Sequence, residues 1–155
     1  MCNQPGHTLM NSRFAVAVHI LTLLEDNKGE PLTSEMIAGS VNTNPTVVRR
    51  MLSALASSGL TLSQLGNGGG AMLAKPAEKI TLLDVYRASA EGSSLFGLHE
   101  EPNIKCLVGR NIQAALTGHF DDATAALEAS LSKTTIAAML RDVKREETRR
   151  LRKKA

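Results

Sequence analysis

One change of rhythm constrains this chain more than anything else in it. Between Thr33 and Gly59 the apolar residues recur at helical spacing; from Leu60 to Gln64 they alternate with polar ones, as in a half-buried strand. The boundaries are marked by local chemistry. Thr33 is an N-cap, with Glu35 in the first turn that follows, and Met36, Ile37 and Val41 form the apolar side of a short helix. Asn42-Thr43-Asn44-Pro45 breaks it. Asn44 as N-cap and Pro45 at the first helical position then start another helix, which runs to about Ser58 on a stripe of Val48, Met51, Leu52 and Leu55. Gly59 stands where a helix-ending glycine belongs. After the Leu60–Gln64 strand comes Gly66-Asn67-Gly68-Gly69-Gly70, then a second short strand over Ala71–Ala74, ended by Lys75-Pro76.

An earlier helix over residues 10–26, carried by Phe14, Ala17, Val18, Leu21 and Leu24, precedes the pair. The order is therefore helix, helix, turn, helix, glycine-tipped hairpin. This is the pattern of a mainly α winged helix-turn-helix with a small two-stranded wing. A major groove about 12 Å wide admits one helix, which must turn polar residues away from its core stripe. Helix 45–58 does so with Thr46, Arg49, Arg50 and Ser53. Taken singly, Arg49 and Arg50 also suit an ordinary solvated face, and the glycines also suit a plain hairpin turn. A phosphate-binding loop is a poor fit, because G-x-x-x-x-G-K-[ST] is absent and a strand follows the glycines.

Beyond the hairpin, Thr81 and Asp84 stand close to a capping-box spacing and open a helix over about 81–90. Residues 91–105 hold Gly92, Gly97, Pro102 and Asn103 and read as a loop. From Cys106 to about Leu131, apolar residues Ile112, Leu116, Phe120, Ala123, Leu127 and Leu131 repeat in steps of three and four or their sums. A helix of that length is a rod of about 38 Å, long for a small domain. Another helix starts after Lys133 and runs into a basic tail. The expected organisation is an N-terminal extension over 1–9, with Met10 as an alternative start, a DNA-binding domain over 10–90, a loop over 91–105, dimerisation helices over 106–140 and a tail over 141–155.

Charge points to an anionic partner only locally. Residues 141–155 hold 8 Lys and Arg against 3 acids, while the other residues hold 10 against 12. The tail suits a solvated helix end with Glu146 and Glu147 paired to Arg149 and Arg150, or added phosphate affinity. Two cysteines are too few for a disulfide framework and imply a reduced, cytoplasmic setting. Residues 1–9 lack the basic and apolar regions of a secretion signal, and no apolar run approaches a membrane span. No nucleophile–base pairing, metal-ligand spacing or phosphate loop points to an enzyme. His7, His19 and His119 have no partners nearby in sequence, and His19 reads as packed within its helix.

The stretches Ser12-Arg13-Phe14-Ala15, residues 33–58, Ser58-Gly59-Leu60, Gly68-Gly69-Gly70, Leu73-Ala74-Lys75-Pro76, Ile80–Val85 and Lys133–Ala137 together resemble the Rrf-two family of winged-helix transcription regulators. The resemblance spans about residues 10–140. Around Asn103–Gln113 it looks most like a cluster-free branch of that family. It implies a homodimer joined through the 106–131 helix and a double-stranded DNA operator as target. It places Ser12 and Arg13 on the DNA backbone, Thr46, Arg49 and Arg50 at the major groove, and Asn67, Gly68, Gly69 and Gly70 at the wing tip, with Ser34 also among the DNA-binding residues. There are three departures. Ala71 stands where many members have an aromatic, Leu65 stands where some have a wing arginine, and the loop before the long helix has one cysteine where sensing members have three. Cluster ligation takes about four soft ligands, so no iron–sulfur cofactor is expected. Cys106 is then a half-buried packing thiol, a redox-reactive thiol near a helix start, or part of a metal site with His99, Glu100 and Glu101. The expected function is operator binding by a regulator, most simply a repressor; the alternative is a protein–protein adaptor that uses the same fold without DNA.

Overall fold

The computed structural model describes residues 9–90 and 95–154. Six helices and one hairpin follow in the order α1 (Leu9–Asp26), α2 (Ser34–Val41), α3 (Pro45–Ser57), β1 (Thr61–Gln64), β2 (Gly70–Leu73), α4 (Leu82–Ser89), α5 (Leu107–Leu131) and α6 (Ile136–Lys154), with a single 3-10 turn at Ala77–Lys79 before α4. The extension expected over 1–9 lies outside the described residues apart from Leu9, which opens α1. The start of the 91–105 loop lies outside them as well.

The helix boundaries form where short-range hydrogen bonds satisfy the free N–H groups of a helix start. The Thr33 hydroxyl accepts from the Met36 amide at 3.2 Å, and the Asn44 carboxamide oxygen accepts from the Thr46 amide at 2.8 Å, with Pro45 behind it. Thr81 and Asp84 complete a reciprocal box. The Asp84 amide donates to the Thr81 hydroxyl at 3.1 Å, and the Thr81 amide donates to the Asp84 carboxylate at 2.8 Å. Gly59 ends α3 at φ +69°, a left-handed conformation that costs a glycine little.

One core joins these pieces. Ile20 and Leu21 from α1, Ile37 from α2, Val48, Met51 and Leu55 from α3, then Leu60, Ala71, Ile80 and Val85, are all buried. Leu52 and Val41 pack against them at the margin. Met36, expected on the apolar side of α2, is instead 56% exposed; the buried pair there is Ile37 and Ala38. The hairpin pairs Thr61 with Leu73 and Gln64 with Gly70. It is tied to the segment before α2 by two reciprocal bonds between Leu32 and Ala71, at 3.0 and 2.8 Å. That bridge explains a glycine: a Cβ on Gly70 would fall 2.5 Å from the Leu32 carbonyl oxygen.

The last two helices differ sharply in their packing. The first turn of α6 belongs to the core, with Ile136 and Ala137 buried and the Ile136 amide donating to the Ile80 carbonyl at 2.9 Å. From there α6 lies along α1, where Lys144 meets Asp26 at 2.9 Å, and continues unbroken through the basic residues to Lys154. By contrast α5 has no buried residue in the chain by itself. It is held by Arg87 of α4, which meets Glu128 at 2.8 Å, and by Phe96, whose ring stacks on Phe120 at 4.7 Å.

Candidate nucleic-acid interface

The buried stripe of α3 fixes what the helix can show outward. With Val48, Met51 and Leu55 facing the core, Thr46, Arg49, Arg50, Ser53 and Ser57 are exposed. The two adjacent arginines are deployed differently. Arg50 lines an open groove of about 580 Å3 between α1 and α3, together with Arg13, Val47, Ser53 and Ser57. Arg49 turns to α2, where its Nη2 donates to Glu35 Oε1 at 2.5 Å. A hydrogen bond from its own backbone N–H holds the Glu35 carboxyl below the usual carboxylate range; desolvation opposes this, and the Arg49 charge and the Thr33 hydroxyl add smaller effects in the same downward direction.

The structure therefore brings Arg13, Arg50 and Ser53 to one groove, with Ser12 exposed on the same helix as Arg13. Ser34 is half-buried at the first position of α2, beside Glu35. Asn67 and Gly68 are exposed at the hairpin tip, and Gly68 adopts φ +77°. Gly69 and Gly70 are partly covered; a side chain on Gly69 would strike the hairpin's own Gln64 carbonyl, and one on Gly70 would strike Leu32. Leu65, which precedes the first tip glycine, is 90% exposed. Sequence reading missed Glu35 as a partner of Arg49. The two lie on different helices, fourteen residues apart, and no periodicity links them.

The residues that could hold a cofactor, Cys106, His99, Glu100 and Glu101, lie in the 95–105 segment and at the start of α5. Cys106 takes the N-cap position of α5 and is exposed, not half-buried. The Gly109 amide first and the Val108 amide second hold its thiol below the usual range. His99 contributes its backbone carbonyl as acceptor to the Gln113 side chain. Among the described residues no three His, Cys, Asp or Glu side chains come together in a way that could hold a metal ion. One thiolate per chain here does not fit the ligand set of an iron–sulfur cluster. His19, expected to be packed, is exposed, and its Nε2 lies 3.0 Å from the Ser40 hydroxyl across α1 and α2.

A helix pair that turns a polar, arginine-bearing third helix outward beside a glycine-tipped hairpin defines a winged helix-turn-helix, a class built to dock on DNA. Comparison with known proteins agrees. The family model Rrf2, described as an iron-dependent transcriptional regulator, matches residues 10–142. YwnA of Bacillus subtilis (strain 168), named as an HTH-type transcriptional regulator, is 45% identical over 128 residues, covering 83% of this chain and 94% of that protein. A solved DNA-binding protein superimposes with a TM-score of 0.66 at 39% identity, over 83% of this chain and 98% of that one. The global cysteine regulator CymR of B. subtilis shares the fold, with a TM-score of 0.61 at 21% identity over 88% of this chain and 97% of that one. The chain belongs to the Rrf2 family of transcriptional regulators.

Proposed function

We propose that this regulator is a sequence-specific DNA-binding homodimer that represses the genes whose operators it occupies. The observation that carries the reading is the outward polar face of α3, with Thr46, Arg49, Arg50 and Ser53 away from buried Val48, Met51 and Leu55. An arginine can present two donors to the O6 and N7 acceptors of guanine, or hold a phosphate. On this reading Arg50 and Arg13 sit where a groove between α1 and α3 meets the duplex, Ser12 and Ser34 bond to backbone, and Asn67, Gly68, Gly69 and Gly70 bring the hairpin tip to the DNA. The protein acts in the cytoplasm, as a regulator and not as an enzyme, and without an iron–sulfur cluster. Among the described residues no helix is long and apolar enough to cross a membrane.

The test is to select bound fragments from the source genome with purified protein and then measure variants on the recovered operator. Arg49→Ala and Arg50→Ala should each weaken binding. A base-reading arginine costs about 1–3 kcal/mol and relaxes one position, whereas a phosphate-holding one weakens all sequences alike and reduces the salt dependence. Wild-type affinity in both variants would show that α3 is not the recognition helix. Deleting the gene should raise transcription from promoters that carry the operator; a fall would make the protein an activator.

A further inference from the structure

Adjacent residues on a helix point about 100° apart, so two neighbouring arginines, though both could reach phosphate, need not share a partner. Here they do not. Arg50 opens into the groove beside Arg13, while Arg49 is drawn to a carboxylate on another helix. The backbone that carries it is well anchored. Glu35 lies in the first turn of α2, behind the Thr33 cap, on a helix whose Ile37 and Ala38 are buried in the core.

Stability does not account for the pair. The Arg49 and Glu35 side chains are 57% and 63% exposed, and ion pairs so exposed add little to folding. General affinity for DNA does not account for it either. A carboxylate within one Debye length of a phosphate-binding surface repels the polyanion and neutralises the arginine beside it. What the contact does supply is direction. The Glu35 carboxylate engages one Nη of a guanidinium that has five N–H donors, and leaves the others available to a ligand. The contact biases a long, flexible side chain toward one side of α3 before it meets its target, so ordering it opposes binding less.

We infer that Glu35 is a specificity-determining positioning residue, which holds the Arg49 guanidinium oriented for a base edge in the major groove and disfavours its capture by phosphate. This deepens the operator-binding reading and rests on it. It divides the labour of α3: Arg50 with Arg13 supplies charge, and Arg49 under Glu35 supplies discrimination.

The experiment compares wild type, Glu35→Gln, Arg49→Ala and the double variant on the selected operator, on operators changed one base pair at a time, and on random duplex across a salt series. Glu35→Gln is nearly isosteric and removes one charge at an exposed helix start, so the fold should persist with a small drop in thermal stability that is the same with and without Arg49. Its affinity for random duplex should rise, with a steeper salt dependence of about one more counterion released. Its ratio of operator to random affinity should fall about tenfold, with discrimination lost at the same base pair that Arg49→Ala relaxes. In the Arg49→Ala background, Glu35→Gln should cost no further discrimination. An equal rise on operator and random duplex, leaving the ratio unchanged, would make Glu35 a simple charge and overturn the inference. So would relaxation at a different base pair, or further loss in the double variant. If wild type enriches no sequence at all, the operator-binding reading falls and this inference with it; an unchanged ratio on a well-selected operator removes only the inference.

Discussion

At the residue scale the thiol of Cys106 illustrates how a position acquires chemistry from its backbone. The sulfur stands at the head of a helix, where the backbone N–H groups of Gly109 and Val108 hold its thiol below the usual range. Such donors favour the charged form, so the thiolate exists at a lower pH than in a free cysteine, which titrates near about 8.5. Because the group is exposed, reagents reach it. Alkylation rate followed against pH should show a midpoint below that of the same protein in denaturant; equal midpoints would show that the helix start does not act on the sulfur. Mild peroxide should change operator affinity in wild type and not in Cys106→Ser if the thiol reports oxidation to the DNA-binding domain. Purified anaerobically, the protein should carry no stoichiometric iron or sulfide. The charged face of α3 was legible from sequence because burial at positions 48, 51 and 55 leaves 46, 49, 50 and 53 outside. The exposure of Cys106, Met36 and His19 was not, since it depends on where distant segments end.

At the scale of elements, what could be read in advance was what the chain decides locally. Thr33, Asn44-Pro45, Gly59 and the Thr81–Asp84 pair each fix a boundary through bonds spanning a few residues, and each does so in the fold. The bridge from Leu32 to Ala71 and the bond from Ile136 to Ile80 close much longer loops, and no pattern in the sequence announces them. They matter for architecture, because the second places the start of α6 in the DNA-binding core and not with α5. The capping box of α4 gives a measurable case. Partial burial pushes the Asp84 carboxyl upward, but the Thr81 amide and hydroxyl more than offset this and hold it below the ordinary value. A carboxyl depressed in the folded state contributes stability that is present above its unfolded pKa, about 3.9, and is lost as pH falls through the folded value. Asp84→Ala should therefore cost about 1 kcal/mol near neutrality. Thermal unfolding of the two proteins should converge in acid; a gap that persists unchanged there would mean that the box contributes through packing and not through the charged cap.

At the scale of the whole molecule, the unresolved energetic problem is α5. A helix of 25 residues with no buried position carries Ile112, Leu116, Phe120, Leu127 and Leu131 half-covered along one side. At its head Ile104, Leu107 and Val108 are 71%, 69% and 64% exposed. Contiguous apolar surface on this scale marks an interaction site. The simplest partner is a second copy, because an isologous two-fold contact covers the same stripe on both chains at once. Such a dimer presents two copies of α3 related by the same axis, so the operator should be pseudo-palindromic. Its half-sites should lie about 34 Å apart, one helical turn, or a multiple of that. Sedimentation at micromolar concentration should report the dimer. Leu116→Lys and Leu127→Lys place a charge in the covered stripe and should dissociate it, while leaving the core of α1 to α4 folded, since α5 contributes no buried residue there. Operator affinity should drop steeply in these variants, because each monomer then engages one half-site without the other, and random-duplex affinity should drop far less. A monomeric wild type, or lysine variants that remain dimeric, would move the interface elsewhere and leave the exposed side of α5 for a different protein.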